Sequence, residues 1–416
     1  MKYTYLLIIM AVVISTSAIS QDTYQVKIYP EAGEAFAHAE YTLWVPEGLD
    51  EVQRIILHQH GCGENAQIAG QTVTDDLHWK LLAEKTNAAL LGSSLWPQNE
   101  CVDWCDPNNG TERAYLQALN ELANLSSHAE VAEVNWVIWG HSGGGFWTQS
   151  MLQKYPERFE AAVLQSAGFR RRENRDTALQ SVSYATNVPV LIHVGIEEKG
   201  HERFNGLYED GVRTFALMRE KEAPVTLIID PATGHGSGNT RYLTIPWIAA
   251  VLEQKEETEV IWPTEHSEQG NWFPSQIIAA KGEVFSELGN VPDFTHPKQA
   301  PGKLQAEKAA QGVKLTWEAT PDWESGVKTF RIYRNGKLLP PYTAPAREEG
   351  KLTEYYREPK YSDTPGRPLA NMEYIDTNAP SGEAHRYQVS LVNWSGLESP
   401  KSQAIEVDYQ TVSKGQ

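Results

Sequence analysis

A run of strand-forming residues ends in a glycine-rich turn at Asn135-Trp136-Val137-Ile138-Trp139-Gly140-His141-Ser142-Gly143-Gly144-Gly145. The turn contains the pattern Gly-x-Ser-x-Gly, in which a serine stands at a sharp corner between a parallel strand and a helix. Glycines two residues before and two residues after the serine keep neighbouring backbone clear of its side chain. The stretch therefore predicts a nucleophilic Ser142 at a strand-to-helix turn, and the surrounding sequence must supply the matching sheet.

Apolar strands and amphipathic helices alternate on both sides of this turn. We predict strands at Tyr24–Tyr29, Tyr41–Val45, Ile55–Gln59, Ala88–Leu91, Trp136–Trp139, Ala161–Gln165, Val188–Val194 and Val225–Ile229. The predicted helices lie around Leu77–Leu82 and Leu116–Leu125, and at Gly144–Tyr155, Leu207–Glu220 and Thr240–Gln254. Strands that are apolar throughout are typical of a parallel sheet covered by helices on both faces. The predicted fold class is α/β.

An acid and a histidine follow the serine, each just beyond a predicted strand. The strand ending at Gly195 is followed by Glu197 and Glu198, and the next strand is followed by His235 in a loop with glycines on both sides. Serine, acid, histidine is the chain order of the α/β-hydrolase triad. Glu197 and Asp230 compete with Glu198 for the role of the acid.

Residues 50–255 resemble the α/β-hydrolase fold, and within it the secreted esterases related to polyhydroxybutyrate depolymerases and to feruloyl and acetylxylan esterases. The resemblance lies in His60-Gly61-Cys62, Trp96-Pro97-Gln98, Gly140-His141-Ser142-Gly143-Gly144 and Gly234-His235-Gly236. It implies a triad of Ser142, His235 and Glu198, an ester substrate and no cofactor. The acid in that family is more often aspartate, but glutamate can also accept a hydrogen bond from the imidazole and fix its tautomer.

Acyl transfer also needs donors for the negatively charged oxygen of the tetrahedral intermediate. The backbone amide of Gly143 is the first predicted donor, and the turn after the strand Ile55–Gln59 supplies the second, from Cys62 or Gly63. Four side chains near these positions are possible substrate contacts: His60, His141, Trp96 and Trp104. Trp147 is expected to pack in the core.

The composition excludes several classes of partner. The formal net charge is −18 and the chain has no run of basic residues, so nucleic acids and anionic membrane surfaces are poor partners.

The three cysteines allow three alternative disulfides among Cys62, Cys101 and Cys105. The spacing of cysteines and histidines does not match a zinc site, so no metal is predicted. Residues 1–20 read as a signal peptide, which predicts a secreted or periplasmic protein.

A second domain is predicted after the hydrolase-like residues 21–255. Residues 256–300 form a linker with a short docked helix at Trp272–Val284, and residues 301–410 change to short strands. These are predicted at Gly312–Glu318, Thr329–Asn335, Met372–Asp376, His385–Asn393 and Ala404–Tyr409. Asn335-Gly336 is a strong hairpin signal. Trp317 and a corner tyrosine at Tyr387 resemble a fibronectin type III sandwich. The long segment 340–369 is expected to be a solvated insertion, with contact to the hydrolase or a ligand as the alternative.

These features together predict a secreted serine carboxylesterase that acts on polysaccharide esters or small polyesters. A serine peptidase with the same fold is the enzymatic alternative, because the same residues can cleave an amide. A non-catalytic adhesion or binding protein is the alternative from another class.

Overall fold

The computed structural model of the protein describes residues 23–168, 187–230, 233–237, 240–253, 297–321, 323, 326–340, 363, 372–393 and 397–409. The predicted signal peptide, the predicted helix at Trp272–Val284 and all of the segment 341–369 except Asp363 lie outside these residues. Among the helices described, none has both the length and the apolar character that a membrane crossing requires.

The first domain is built on an eight-stranded sheet. Its strands are β1 (Thr23–Ile28), β2 (Phe36–Trp44), β3 (Arg54–Gln59), β4 (Ala88–Pro97), β5 (Asn135–His141), β6 (Phe159–Gln165), β7 (Val190–Gly195) and β8 (Val225–Asp230). They lie in the order β1-β2-β4-β3-β5-β6-β7-β8. The pairs β1–β2 and β2–β4 are antiparallel, and all other pairs are parallel. Strand β5, which leads to Ser142, therefore lies inside the parallel part of the sheet.

Helices connect the parallel strands. They are α1 (Glu64–Gly70), α2 (Leu77–Lys85), α3 (Val102–Cys105), α4 (Thr111–Ser126), α5 (Gly143–Lys154), α6 (Asn205–Glu220) and α7 (Arg241–Glu253). Helix α2 begins where the Asp76 side chain accepts hydrogen bonds from the amides of His78 and Trp79, which is the usual role of aspartate at a helix N-terminus.

Two apolar layers hold the helices against the sheet. Neighbouring residues of one strand point to opposite faces, so Ile55 and Leu57 of β3 join one layer while Ile56 joins the other. A strand with both faces covered must be apolar throughout, and this is why the parallel strands have no polar alternation.

The second domain is a sandwich of two antiparallel sheets. Its strands are β9 (Gly302–Ala309), β10 (Gly312–Glu318), β11 (Thr329–Arg334), β12 (Lys337–Leu338), β13 (Glu373–Asp376), β14 (Glu383–Val392) and β15 (Ile405–Tyr409). One sheet has the order β13-β10-β9 and the other β12-β11-β14-β15. Trp317, Phe330 and Tyr387 are buried between them, and the Tyr387 hydroxyl donates to Asp376 at 2.9 Å.

The α/β class and the all-β class predicted for the two halves of the chain are both confirmed. The sequence missed two strands, β9 and β12, and ended β4 too early at Leu91. Strand β9 is exposed or half-buried along its whole length, so its residues carry no apolar signal. Gly92, Ser93 and Ser94 interrupt the apolar run of β4, although all three are buried and paired with β2.

The two domains are in direct contact through α2. Leu77 packs in the apolar core of the sandwich, and the Lys85 ammonium lies 4.7 Å from the ring centre of Trp323. A cleft of about 460 Å³ lies between the domains and includes Trp44 and Lys303 in its walls. Asp363 also reaches the first domain, where it is completely buried. The expectation that the segment 340–369 is solvated is therefore wrong at this residue.

Candidate active site

Ser142 stands at the corner between β5 and α5 in a strained backbone conformation. Its φ of 53° and ψ of −116° lie in a region that residues other than glycine rarely adopt. Neighbouring backbone is packed tightly around it. A Cβ atom added to Gly140 would lie 2.4 Å from the Gly144 carbonyl oxygen, and one added to Gly144 would lie 2.3 Å from the His60 carbonyl oxygen. Only glycine fits at these two positions, and Ser142 is left half-buried at the surface of the turn.

The structure brings the predicted serine, histidine and acid together. His235 Nε2 lies 3.0 Å from Ser142 Oγ, and His235 Nδ1 lies 2.6 Å from Glu198 Oε1. Glu198 is fully buried, and its other oxygen accepts a hydrogen bond of 3.2 Å from the Gly195 amide. Nδ1 must carry the proton that is donated to the carboxylate, so Nε2 presents its lone pair to the serine hydroxyl.

Glu198, and not the neighbouring Glu197, takes this place. Glu197 is exposed, and its backbone amide donates to the Thr233 carbonyl oxygen at 3.1 Å. The backbone of Asp230 pairs with Gly195 at the end of β8, and its side chain lies outside the described residues. The chain turns through a short 3-10 helix, Ile196–Glu198, immediately after β7. This turn points Glu198 inward and leaves its neighbour in solvent.

Burial sets the protonation of the His235–Glu198 pair. It lowers the pKa of His235 to about 4, and the nearby charges of Arg203 and His201 act in the same direction. Burial also raises the pKa of Glu198 to about 7, while the hydrogen bond from the Gly195 amide opposes that rise. Both shifts reflect the cost of a charge in a poorly hydrated site. Because Glu198 accepts two hydrogen bonds, we assign the ionised form to the carboxylate and the neutral form to the imidazole.

Two backbone contacts fix the loop that carries His235. The His235 carbonyl oxygen accepts a hydrogen bond of 2.7 Å from Nε2 of His141, and the Glu197 amide holds the Thr233 carbonyl at the start of the loop. His141 is fully buried, and burial lowers its pKa to about 3. A neutral His141 that donates through Nε2 supports the loop of His235, and the substrate contact predicted for His141 stays a prediction.

His60 also braces the backbone. Its Nε2 accepts from the Leu95 amide at 2.7 Å, and its Nδ1 donates to the Gly61 carbonyl oxygen at 2.6 Å. Both ring nitrogens are thus engaged, the side chain is fully buried, and burial lowers its pKa to about 4. The substrate contact predicted for His60 stays a prediction.

The turn after β3 meets the beginning of α5. Cys62 forms a disulfide with Cys101, and a Cβ atom added to Gly143 would lie 2.4 Å from Cys62 Sγ. Gly143 is the first residue of α5, and the first amides of a helix have no acceptor within the helix. The amides of Gly143 and Cys62 thus belong to two segments that touch beside Ser142, which is the arrangement expected of an oxyanion hole.

The two predicted tryptophans lie in different environments. Trp104 is fully buried, with its ring centre 4.8 Å from that of His60, and its predicted substrate contact stays a prediction. Trp96 is half-buried, donates to Ser94 Oγ at 2.9 Å and stacks on His38. Its role in binding stays a prediction. Trp147 is buried in the core.

Phe204 is a residue of the site that the sequence did not reveal. Its ring lies parallel to the His235 imidazole, with 4.0 Å between the ring centres and 9° between the planes. The Arg203 guanidinium carbon lies 5.1 Å from the centre of the same ring. Phe204 precedes α6 in a segment without apolar periodicity, so no pattern in the sequence distinguished it. Its ring covers one face of the imidazole and contributes to the low exposure of His235.

Among the described residues, no group of three or more histidine, cysteine, aspartate or glutamate side chains is arranged to hold a metal ion. No protein-family model matches the chain, and no curated protein matches it either.

The chain is similar to several solved structures. A ferulic acid esterase matches with a TM-score of 0.41 and 14% identity, over 55% of this chain and 98% of that one. The acylaminoacyl peptidase of Pyrococcus horikoshii matches with a TM-score of 0.40 and 12% identity, over 57% of this chain and 42% of its own. This chain therefore spans less than half of the length of that peptidase. A fibronectin type III-like protein from Clostridium thermocellum matches with a TM-score of 0.17 and 22% identity, over 28% of this chain and 98% of that one.

Likenesses at these identities identify no substrate. The strand order, the strained serine at the end of β5 and the position of His235 after β8 carry the structural conclusion by themselves. The first domain of this protein has the α/β-hydrolase fold.

Proposed function

We propose that this protein is a serine hydrolase that cleaves carboxylic esters through an acyl-enzyme intermediate. One observation carries the proposal, namely the hydrogen-bonded series from Glu198 through His235 to Ser142, whose serine is the only half-buried member. A buried acid, an oriented imidazole and an accessible hydroxyl are what nucleophilic acyl transfer requires.

Each step can be assigned to an atom of the site. Ser142 Oγ attacks the acyl carbon as its proton passes to His235 Nε2, and the electron pair of the carbonyl moves to the oxygen. The amides of Gly143 and Cys62 stabilise that oxyanion. Its collapse breaks the bond to the alcohol, which leaves with the proton from Nε2. Water then repeats the sequence on the acyl-enzyme, releases the acid and restores Ser142.

The sequence motifs favour esters, specifically those attached to polysaccharides or found in small polyesters. This substrate class follows from the resemblance of Gly140-His141-Ser142-Gly143-Gly144 and the other motifs to secreted esterases. A disulfide between Cys62 and Cys101 fits an oxidising compartment, in agreement with a signal peptide at residues 1–20. The sandwich of three and four strands with its buried Tyr387 fits a fibronectin type III-like domain.

The first test compares the wild type with Ser142→Ala and two acid variants on p-nitrophenyl acetate. We expect Ser142→Ala to lower kcat by about four to six orders of magnitude, because the nucleophile is lost. Glu198→Gln should lower kcat by about 10⁴-fold through the wrong imidazole tautomer. Glu197→Gln is the matched control, since it makes the same change on the exposed neighbouring residue, and its kcat should equal that of the wild type.

Equal rates for the wild type and Ser142→Ala would disprove the proposal, whereas a loss confined to Glu197→Gln would move the acid to the neighbouring residue. Peptide p-nitroanilides, acetylated and feruloylated xylan oligomers and polyhydroxybutyrate then separate an esterase from a peptidase and identify the acyl group.

A further inference from the structure

Arg241, the first residue of α7, is held by two carboxylates in a buried ionic network. Its Nε donates to Asp363 Oδ1 at 2.7 Å and one terminal nitrogen donates to the Asp363 carbonyl at 2.9 Å. The other terminal nitrogen lies 2.8 Å from an oxygen of Asp76. The three side chains are 5% exposed or less. A guanidinium bonded through all three nitrogens has little freedom to rotate.

Asp363 belongs to the sequence between β12 and β13 of the second domain, yet it lies inside the first. Its Oδ2 accepts a hydrogen bond of 3.0 Å from Nε1 of Trp79. Its backbone has a φ of 54°, which is uncommon for a residue other than glycine but is tolerated by aspartate. Both carboxylate oxygens and the main-chain carbonyl are used by the first domain, so the whole residue fits a site shaped for it.

The network joins the segment before α2 to the segment that carries His235. Asp76 caps α2, and Arg241 begins the helix that directly follows the catalytic loop. The loop is held at Thr233 by the Glu197 amide and at His235 by His141. Arg241 provides the third attachment, on the far side of His235, and its principal partner comes from the other domain.

A row of stacked rings connects the same network to the strand of the nucleophile. His58 Nε2 lies 4.0 Å from Asp363 Oδ2, and the His58 ring stacks on Trp139 of β5 with 4.1 Å between the centres. Trp139 lies on the same face of β5 as His141, whose ring centre is 6.1 Å away. A displacement of Asp363 would therefore disturb the packing of both the loop of His235 and the strand that ends at Ser142.

We propose that Asp363 is a positioning residue for the active site, supplied by the second domain, and that it acts through Arg241 to keep His235 in line with Ser142. The inference rests on the proposed function, because it concerns the same triad. It assigns to the second domain a part in positioning the catalytic residues, beyond any part in binding a polymer.

The test compares Asp363→Ala and Asp363→Asn with Trp323→Ala in the full chain. Trp323→Ala is the matched control because it removes another contact between the domains, the one with Lys85 and His78 on α2, while it leaves Asp76 and Asp363 in place around Arg241. We expect Asp363→Ala to lower kcat about 10- to 100-fold with little change in KM, since small misplacements of a catalytic group have effects of this size. Asp363→Asn keeps one acceptor oxygen, so its kcat should lie between those of Asp363→Ala and the wild type. Trp323→Ala should keep the kcat of the wild type.

Two further measurements separate positioning from a loss of stability. The rate at which a fluorophosphonate labels Ser142 should fall in parallel with kcat, while hydrogen exchange of the peptide 233–237 should become faster in Asp363→Ala than in Trp323→Ala. A lower melting temperature with unchanged kcat and labelling would overturn the proposal, as would equal kcat losses in Asp363→Ala and Trp323→Ala. If the wild type labels no better than Ser142→Ala, the proposed function fails, and the exchange of 233–237 alone decides whether Asp363 holds the loop.

Discussion

At the scale of single residues, the site combines residues that the sequence predicts with one residue, Phe204, that it does not reveal. Ser142, His235 and Glu198 each follow a strand, and the chain order alone indicates which strands bring them together. The contact of Phe204 with His235 arises only when the segment after Glu198 folds back over the imidazole. A contact of this kind has no periodicity or motif, so a single sequence cannot reveal it.

Phe204 should set the pH range of the reaction by keeping water from His235. Replacement with alanine exposes the imidazole, so the pKa of His235 rises from about 4 towards its ordinary value of 6.5. The base must be neutral to accept the serine proton. If the pKa of His235 is higher, the imidazole becomes protonated, and activity is lost, at a higher pH as the solution is acidified. We expect the acidic limb of the kcat/KM profile of Phe204→Ala to move upward in pH.

Phe204→Tyr is the control for this prediction, because it keeps a stacked ring and should keep the profile of the wild type. The surrounding charges of Arg203 and His201 are the same in both variants. An acidic limb that stays in place in Phe204→Ala would mean that the ring has no part in excluding water from the imidazole.

At the scale of elements, the disulfide between Cys62 and Cys101 packs against Gly143, beside the proposed oxyanion hole. It connects the turn after β3 to the residue that precedes α3, across a sequence separation of 39 residues. By the chain-entropy model a loop of this length contributes about 4 kcal/mol to the free energy of unfolding. Its sulfur at Cys62 also packs on Gly143. The bridge therefore stabilises the fold and anchors the turn that carries the Cys62 amide, while its sulfur atoms pack against Gly143.

The double variant Cys62→Ser/Cys101→Ser keeps both backbone amides and removes only the bridge. We expect a lower free energy of unfolding, by about 2–5 kcal/mol as for other native disulfides, and a lower kcat because the turn that carries the Cys62 amide is no longer anchored to Cys101. Urea unfolding and kcat on p-nitrophenyl acetate measure the two effects.

Cys105→Ser provides the comparison, since Cys105 lies near the bridge but takes no part in it. A double variant with the kcat of the wild type would show that packing alone keeps the amides in register.

Elements with a strong apolar pattern were predicted almost to the residue, as with β3 at Arg54–Gln59 and β10 at Gly312–Glu318. The three cysteines, in contrast, allowed three pairings, because only the folded chain brings Cys62 and Cys101 to a Cα separation of 5.6 Å. Strand β9 was missed for a related reason. Its order comes from backbone pairing with β10, and pairing leaves no trace in residues that face solvent.

At the scale of the whole molecule, the sequence predicts two domains but not how closely they are joined. The boundary near residue 300 follows from the change to short strands. The contacts across it depend on single side chains, namely Leu77 in the core of the sandwich and Asp363 beneath α7. Nothing in the local sequence of either residue indicates burial in the other domain, since an aspartate in a proline-rich segment is ordinarily solvated.

The buried contacts predict that the two domains unfold together. A single calorimetric transition is expected for the full chain, because Leu77 and Asp363 both lose their surroundings when either domain opens. Leu77 lies on α2 of the first domain and packs in the core of the sandwich. Leu77→Ser places a polar side chain in that core, so it weakens the junction between the two domains. We expect this variant to show two separate transitions. Leu125→Ser makes the same change at a position that is 54% exposed on α4, and it should retain one. Two transitions in the wild type would instead mean that the junction is too weak to couple the unfolding of the two domains. Asp363 would then position the active site in the folded protein without making the domains unfold together.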